Sequence, residues 1–156
     1  MVRMMEMTFP EKRVRAVVEF LEDDAPDTCD FVWKYLENPI EAKIAHASSV
    51  GRVFFADLIK TIPPVEAERL RTENTSVYPL PGDVYYAHLP PRFARGAREG
   101  VSEIVVCYGG EVRESVGFGW FLPNIFGKVV ENLDRLVEIG SNLWESGPQR
   151  VVLRRK

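Results

Sequence analysis

The chain has 156 residues, of which 46% are hydrophobic and 28% are charged, and its net charge is −3. This length and apolar fraction predict one compact domain over residues 1–156 and exclude intrinsic disorder. The balanced charge argues against a nucleic-acid-binding protein, because such a protein needs a basic face to neutralise phosphates.

The two cysteines predict a reducing compartment. Cys29 and Cys107 are widely spaced among apolar neighbours, which is typical of small core residues rather than of a disulfide framework. Residues 1–10 lack the apolar run of a signal peptide, and no stretch approaches the roughly 20 apolar residues of a membrane span. We therefore expect a cytoplasmic protein without membrane contact.

A strand and a helix are predicted first. Apolar and polar residues alternate over residues 13–21, which indicates a half-buried strand. Asp24 is a candidate N-cap for the helix that follows, with Pro26 in its first turn. The predicted buried stripe of this helix is formed by Cys29, Val32, Trp33 and Leu36.

A hairpin and an irregular stretch come next. Residues 40–47 and 52–58 are predicted as antiparallel strands joined by a turn over residues 48–51. Residues 59–82 are rich in proline, which is typical of a functional loop, and a short helical turn is predicted over residues 65–71.

The second half of the chain is predicted to hold more strands and one long helix. Gly109 and Gly110 are expected to form a turn with positive φ. Two strands are predicted over residues 83–88 and 102–108, a short one over 111–116, a loop over 117–124, a helix over 125–144 and a last strand over 149–154. Many short strands with two helices predict a mainly β fold, a closed sheet that the helices cover.

Several short motifs, in this order, resemble small prokaryotic cyclophilin-like families of unknown function. The motifs are Ala25-Pro26-Asp27-Thr28-Cys29, Ala45-His46-Ala47-Ser48-Ser49-Val50-Gly51-Arg52, Glu73-Asn74-Thr75, Pro81-Gly82-Asp83 and Pro123-Asn124-Ile125-Phe126-Gly127. The resemblance covers residues 13–154 and implies a closed eight-stranded β-barrel, or a slightly reduced one, with a helix over each open end. It does not imply prolyl isomerase activity, because Arg52 follows a Val-Gly turn and lacks the sequence context of the arginine in true cyclophilins.

Four polar residues are candidates for the chemistry. His46 and Glu73 could each act as a general base, although His46 could equally be a hydrogen-bonded interior histidine. Arg52 could bind a carboxylate or amide oxygen through its planar guanidinium, or be a solvated residue at a strand end. Asn74 could bind an amide-like ligand, or Glu73 and Asn74 could stabilise their own loop.

Aromatic residues suggest the lining of a pocket. Trp120, Phe121, Asn124 and Phe126 would lead into the predicted helix start at Ile125, whose free N–H groups would favour an anionic group. The alternative is an aromatic plug that seals the barrel. The predicted binding residues are Arg52, Asn74, Tyr86, Trp120, Asn124 and Phe126.

Three functions remain open from the sequence. The first is binding of a small polar molecule or a peptide at the barrel, and the second is a small hydrolase or isomerase, including a prolyl isomerase, that uses His46 or Glu73 as a general base. The third is a non-catalytic interaction subunit, and a homodimer is plausible on base rates alone. No cofactor or metal is expected: Gly117-Phe118-Gly119 is not a dinucleotide fingerprint, and two histidines with two distant cysteines do not make a zinc site.

Overall fold

A computed structural model describes residues 2–47, 49–58, 60–93, 95, 98–116 and 119–156. Ser48 in the predicted hairpin turn, Gly96 and the Gly117-Phe118 pair lie outside these residues. The strands are β1 (Met4–Phe9), β2 (Val14–Phe20), β3 (Ile40–His46), β4 (Val53–Asp57), β5 (Asp83–Leu89), β6 (Val101–Cys107), β7 (Ser115–Val116), β8 (Gly119–Trp120), β9 (Asn124–Glu131) and β10 (Gln149–Arg155). The helices are α1 (Pro26–Tyr35), α2 (Pro64–Ala67) and α3 (Leu133–Ser146), with a 3-10 turn at Pro10–Lys12.

Eight of these strands close into an antiparallel barrel. Their order around the barrel is β1-β10-β3-β4-β6-β5-β9-β2, and β2 pairs with β1 to complete the ring. The short strands β7 and β8 form a separate two-stranded sheet. The predicted mainly β fold, a closed barrel that helices cover, is confirmed.

The predicted helix over residues 125–144 is wrong in its first part. Asn124–Glu131 forms β9, which pairs with β2 and β5, and α3 begins only at Leu133. The apolar run is buried because strands flank it on both sides, and a short apolar run of this kind does not distinguish a buried strand from a helix. Val130 and Val137, which a helix over residues 125–144 would carry on its inner face, are both exposed.

Three smaller expectations also differ from the structure. The N-terminal residues, which gave no strand prediction, form β1 between β2 and β10. The N-cap of helix α1 is Ala25, whose side chain makes no capping hydrogen bond, so Asp24 is not the N-cap. Beyond β6, the positive φ of 64° belongs to Glu111 rather than to Gly109 or Gly110.

The main core fills the barrel and extends under both covering helices. It includes the predicted α1 stripe of Cys29, Val32 and Leu36, with Trp33 packed at its edge. Helix α1 lies at one end, where the ring of Phe31 is 5.3 Å from that of Tyr86. Helix α3 lies at the other end, where Gly140 packs so closely on Tyr108 that a Cβ atom there would lie 2.5 Å from the ring.

A second, smaller core lies on the outside of the barrel. Strands β5 and β6 carry apolar side chains on both faces, so their outer face is also buried. The residues of this outer core are Val50, Val53, Tyr85, Ala87, Val105, Cys107, Val112 and Ile125. Because an apolar outer face must be covered from water, a chain segment packs over it and creates the space described next.

Candidate outer-face site

A cavity of about 320 Å³ lies on the outer face of the sheet formed by β4, β6 and β5. Its lining is mostly apolar, with two carboxylates. The residues that line this outer cavity are His46, Ala47, Ser49, Val50, Val53, Phe55, Tyr85, Ala87, Leu89, Glu103, Val105, Glu114 and Phe121. An apolar pocket with a few polar groups is the usual form of a small-molecule site.

Residues 112–116 and 119–122 form the covering segment of the outer cavity. Arg113 N donates a backbone hydrogen bond to Val50 O at 3.0 Å and so ties this segment to the turn before β4, while Phe121 N donates to Glu114 O at 2.8 Å within the segment. Glu114 N also donates to Val77 O at 2.8 Å. These bonds place the Glu114 and Phe121 side chains over the outer face of the barrel.

The Tyr85 hydroxyl donates a hydrogen bond to Glu114 Oε1 inside this site. Tyr85 is 1% exposed and Glu114 is 4% exposed. Burial raises the pKa of Glu114, while the hydrogen bond from Tyr85 opposes that rise. Burial and the neighbouring Glu114 charge raise the pKa of Tyr85, so its phenol stays protonated and remains a donor.

Glu103 is the second carboxyl group of the outer cavity. It stands on β6 opposite Ala87 of β5 and Asp57 of β4, on the outward face that also carries Val105. Burial raises the pKa of Glu103 to about 7, and the charges of Asp57 and Glu114 add to this rise. Near neutral pH this carboxyl group is therefore present in comparable amounts as the acid and as the anion.

His46 borders the outer cavity, but both of its ring nitrogens have partners. Nδ1 lies 3.1 Å from Ala47 O, and Nε2 lies 2.7 Å from the Tyr108 hydroxyl. Since a carbonyl only accepts, Nδ1 carries the proton and Nε2 accepts from Tyr108. The ring also packs 4.8 Å from that of Trp144, and burial lowers the pKa of His46. This is the arrangement of a hydrogen-bonded interior histidine.

Glu73 accepts hydrogen bonds at the start of α1. Its Oε1 lies 2.5 Å from Thr28 N and 2.7 Å from Thr28 Oγ1, so it supplies the cap that Asp24 was expected to provide. Thr28 Oγ1 in turn accepts from Asn124 Nδ2 at 3.0 Å. The role of Glu73 as a general base stays a prediction, but its carboxylate has a structural partner that is fully buried.

Asn74 and Asn124 belong to the same network. Asn74 has a φ of 44°, and its Nδ2 donates to Ile125 O at 2.7 Å, while Ile125 N donates to Asn74 O at 3.2 Å. Asn124 Nδ2 also donates to Arg71 O at 2.9 Å. The backbone N–H of Ile125 was expected to be free at a helix start, but it donates to Asn74 O within a strand. The predicted anion site at Ile125 is therefore wrong.

His46 and Glu73 lie at opposite ends of the barrel. His46 packs against Trp144 of α3, whereas Glu73 caps α1. Because the two helices cover opposite ends, no single ligand position is within hydrogen-bond reach of both side chains.

All eight candidate site residues lie within the described residues, and of these only His46 lines the outer cavity, which Phe121 of the predicted aromatic cluster also lines. Phe126 is fully buried in the main core, and the Tyr86 hydroxyl donates to Ser102 Oγ at 3.1 Å. Trp120 is 60% exposed and its ring contacts that of Tyr78. Arg52 is exposed and its side chain lies against Gly109. The structure therefore brings Asn74 and Asn124 together beside Glu73 and places Tyr86 next to Asn124, but it does not gather the predicted lining residues in one pocket.

Within the described ranges, no group of three or more His, Cys, Asp or Glu side chains is placed to hold a metal ion. Among these same residues, no helix is long and apolar enough to cross a membrane.

Residues 7–154 match the model of a family described as "Protein of unknown function (DUF3830)". The chain belongs to the DUF3830 family. This confirms the resemblance to a family of unknown function with a cyclophilin-like barrel. A search of the curated proteins finds no match to the chain.

Two solved structures share the barrel of this DUF3830 chain. McbB, in a structure titled as a complex with tryptophan, has a TM-score of 0.71 and 17% identity, with 97% of this chain covered. The match spans 44% of McbB, so the chain corresponds to less than half of that protein. The Mimivirus cyclophilin has a TM-score of 0.55 and 12% identity, with 99% of this chain and 89% of the cyclophilin covered. At these identities the likeness shows the fold alone.

Sequence reasoning missed the two carboxylates of the outer cavity in this DUF3830 chain. A signal was present, because residues 101–107 carry apolar side chains on both faces of the strand. A strand of that kind is covered on both sides, so a glutamate within it is removed from water. Glu114 gave no comparable signal, since its burial depends on how the covering segment packs across β5.

Proposed function

We propose that this chain binds a small molecule with an aromatic or other apolar body and a protonated amine in the outer cavity. The observation that carries the proposal is Glu103, whose carboxyl group lies in a mostly apolar cavity with a pKa of about 7. A carboxylate in such surroundings is poorly solvated, and a bound cation offsets that cost.

The charges around the cavity favour a cation over an anion. Glu103 and Glu114 both line it, and Asp57 lies across the strand pair from Glu103. A bound amine would lower the pKa of Glu103, because an adjacent positive charge favours the carboxylate. Binding and deprotonation of Glu103 are therefore linked.

The aromatic residues favour an apolar body on the ligand. Phe55, Tyr85 and Phe121 line the cavity, and flat rings pack well edge-to-face and in offset stacks. The structurally similar McbB is described in complex with tryptophan, an amino acid that has an indole ring, an ammonium group and a carboxylate. That likeness supports the choice of ligand class for the test, while the charge and lining of this chain's own cavity support the proposal.

The test is titration calorimetry with tryptamine at pH 8. We expect saturable binding to the wild type and about tenfold weaker binding to E103Q. A tenfold loss of affinity corresponds to roughly 1.4 kcal/mol, which is more than an exposed ion pair contributes. E37Q, which changes an exposed glutamate just beyond α1, is the control and is expected to bind as the wild type does. Indole-3-propionate carries an anion in place of the amine and is expected not to bind. Equal affinity of E103Q and the wild type, or preference for the anion, overturns the proposal.

A second candidate function is proton transfer by Glu103, because a general base works best when its pKa lies near the operating pH. In this function the carboxylate takes a carbon-bound proton next to a carbonyl, and solvent returns a deuteron in heavy water. Phenylacetaldehyde is a suitable probe, and exchange of its α-protons is followed by NMR. We expect the protein-dependent rate to rise as the pH passes through about 7 and to be lost in E103Q. A rate that E103Q retains excludes this function.

Binding of a peptide, formation of a homodimer and a cytoplasmic location stay predictions from the sequence.

A further inference from the structure

A second cavity, of about 120 Å³, lies between α2 and the end of β5. We call it the end cavity. Its volume is well above the roughly 15 Å³ that one water molecule needs, so it has room for a small organic molecule. Only Phe121 lines both this cavity and the outer cavity. The residues that line the end cavity are Ala67, Glu68, Leu70, Thr72, Tyr86, His88, Phe121, Leu122 and Asn124.

The neutral ring of His88 carries its proton on Nδ1. Burial lowers the pKa of His88, whereas the charge of Glu68 and a hydrogen bond to the Val101 backbone raise it. A backbone carbonyl only accepts, so a ring N–H of His88 donates to it. Nδ1 also lies 3.1 Å from Ser102 Oγ, whereas Nε2 has no hydrogen-bond partner among the described residues. The donor is therefore Nδ1, and Nε2 is left as an acceptor.

The free lone pair of His88 Nε2 belongs to a buried atom. A buried acceptor without a donor loses its hydrogen bonds to water and gains nothing in return. Such groups are rare in native proteins, and they indicate a bound water molecule or ligand. Because His88 lines the end cavity, we assign the missing donor to an occupant of that cavity.

The other polar groups of the end cavity are mainly acceptors. The amide of Asn124 donates both of its N–H bonds within the protein, and the Tyr86 hydroxyl donates to Ser102 Oγ at 3.1 Å. Glu68 adds a carboxylate to the lining, and Thr72 adds a hydroxyl group. A lining of this kind favours an occupant that donates hydrogen bonds and carries a positive charge.

We propose that the end cavity binds the ammonium group of a short primary alkylamine, with His88 Nε2, the Glu68 carboxylate and the Thr72 hydroxyl as acceptors for its N–H bonds. A primary ammonium group has three donors and no acceptor, which matches these three groups in number. Glu68 supplies the opposite charge. Leu70 and Leu122 supply apolar surface for the alkyl chain.

The size of the end cavity separates this site from the site proposed in the outer cavity. Its volume is about 120 Å³, against about 320 Å³ for the outer cavity, so it suits an amine without an aromatic body. Its acceptors are also different residues, because neither Glu103 nor Glu114 lines it. The inference therefore does not rest on the proposed function.

The test follows the imidazole nitrogens of the full chain by ¹H–¹⁵N NMR at pH 8, with ethylammonium chloride as the probe. His46 and His88 are the only histidines, and His46 lines the outer cavity, so the two signals report on the two cavities separately. We expect the His88 proton on Nδ1 and a saturable shift of the His88 Nε2 signal with ethylammonium. Ethanol has a donor but no charge, and tetramethylammonium chloride has the charge but no N–H bond. Each is expected to give no saturable shift.

Variants separate the site from general effects of the salt. H88F removes the acceptor and E68Q removes the charge, and each is expected to weaken ethylammonium binding, followed through backbone amide shifts of residues 68–72, by about tenfold. Because Glu68 is exposed, E68Q also covers the case in which H88F fails to fold. E37Q, which changes another exposed glutamate, is the control and is expected to bind as the wild type does.

Four results would each overturn the proposal. They are a proton on Nε2 of His88, no saturable shift at His88 (water only), a shift at His46 alone, and equal affinity of E68Q and the wild type. E103Q is expected to leave the His88 shift unchanged, since Glu103 does not line the end cavity. Failure at His88 is therefore distinct from failure of the proposed function, which is read from tryptamine binding to E103Q.

Discussion

Tyr85 and Glu114 connect the barrel to the segment that covers its outer face. Tyr85 is part of β5, Glu114 belongs to the covering segment, and the phenol donates to a carboxyl group that is itself buried. The bond thus joins residues 29 positions apart and fixes one wall of the outer cavity. The covering segment is as much part of the site as the strands are.

Removal of the Tyr85 hydroxyl is expected to destabilise the protein and to do so more at high pH. In Y85F the buried Glu114 carboxylate loses its donor, which costs about 1–3 kcal/mol. The pKa of Glu114 rises further because the hydrogen bond that opposed the effect of burial is gone. Urea denaturation of Y85F at pH 5 and pH 8 measures this. Y78F is the control, since Tyr78 is 54% exposed, and an equal loss in both variants would contradict the prediction.

Replacement of Glu103 by glutamine is expected to stabilise the protein at high pH only. The pKa of Glu103 is raised in the folded state, so its contribution to stability is fully present below the unfolded pKa and is lost as the pH rises through about 7. Each pKa unit corresponds to about 1.4 kcal/mol, so E103Q gains up to about 3 kcal/mol over the wild type at pH 8 and almost nothing at pH 4. Denaturation curves across this pH range give the difference, and a gain that is constant with pH would refute the account.

Glu73 is expected to matter for folding through the start of α1. E73A removes the acceptor for two donors of Thr28 and is expected to cost about 1–2 kcal/mol, the usual effect of losing an N-terminal helix cap. E73Q keeps a neutral acceptor and is expected to lose less. Tryptamine binding at the outer cavity is expected to be unchanged in both variants. A loss of binding in folded E73Q would instead support the earlier hypothesis that Glu73 acts on a ligand.

A side chain at Gly140 is expected to disturb the contact between α3 and the barrel. A Cβ atom there would lie 2.5 Å from ring atoms of Tyr108, which must move and so weaken its hydrogen bond to His46. The expected overpacking cost of about 1–3 kcal/mol exceeds the roughly 1 kcal/mol that alanine gains over glycine within a helix. Thermal denaturation of G140A tests this. G110A is the control, because a Cβ at Gly110 would meet nothing within 4 Å.

The sequence by itself predicted most of the barrel. Period-two patterning located β2 to within a residue at each end, and the spacing of Cys29, Val32 and Leu36 located the buried face of α1. These elements were predictable because each one buries a single face in the main core. Apolar residues therefore recur at the spacing of that face, and polar residues occupy the other positions. The short motifs added the closed topology through a resemblance, which the fold confirms.

Only the tertiary structure decided where a site could lie. Asn124–Glu131 is a strand because β2 and β5 flank it, whereas its short apolar run by itself does not distinguish a strand from a helix. Glu73 and Asn74 stabilise the start of α1 and the neighbouring backbone because distant parts of the chain place their partners there. The balanced charge of the whole chain likewise does not reveal the local acidic cavity, because Glu103 and Glu114 line one cavity, with Glu114 buried, only when the covering segment crosses β5. Local pattern determines which face of an element is apolar, whereas burial and the pKa of a polar group depend on contacts between elements far apart in the chain.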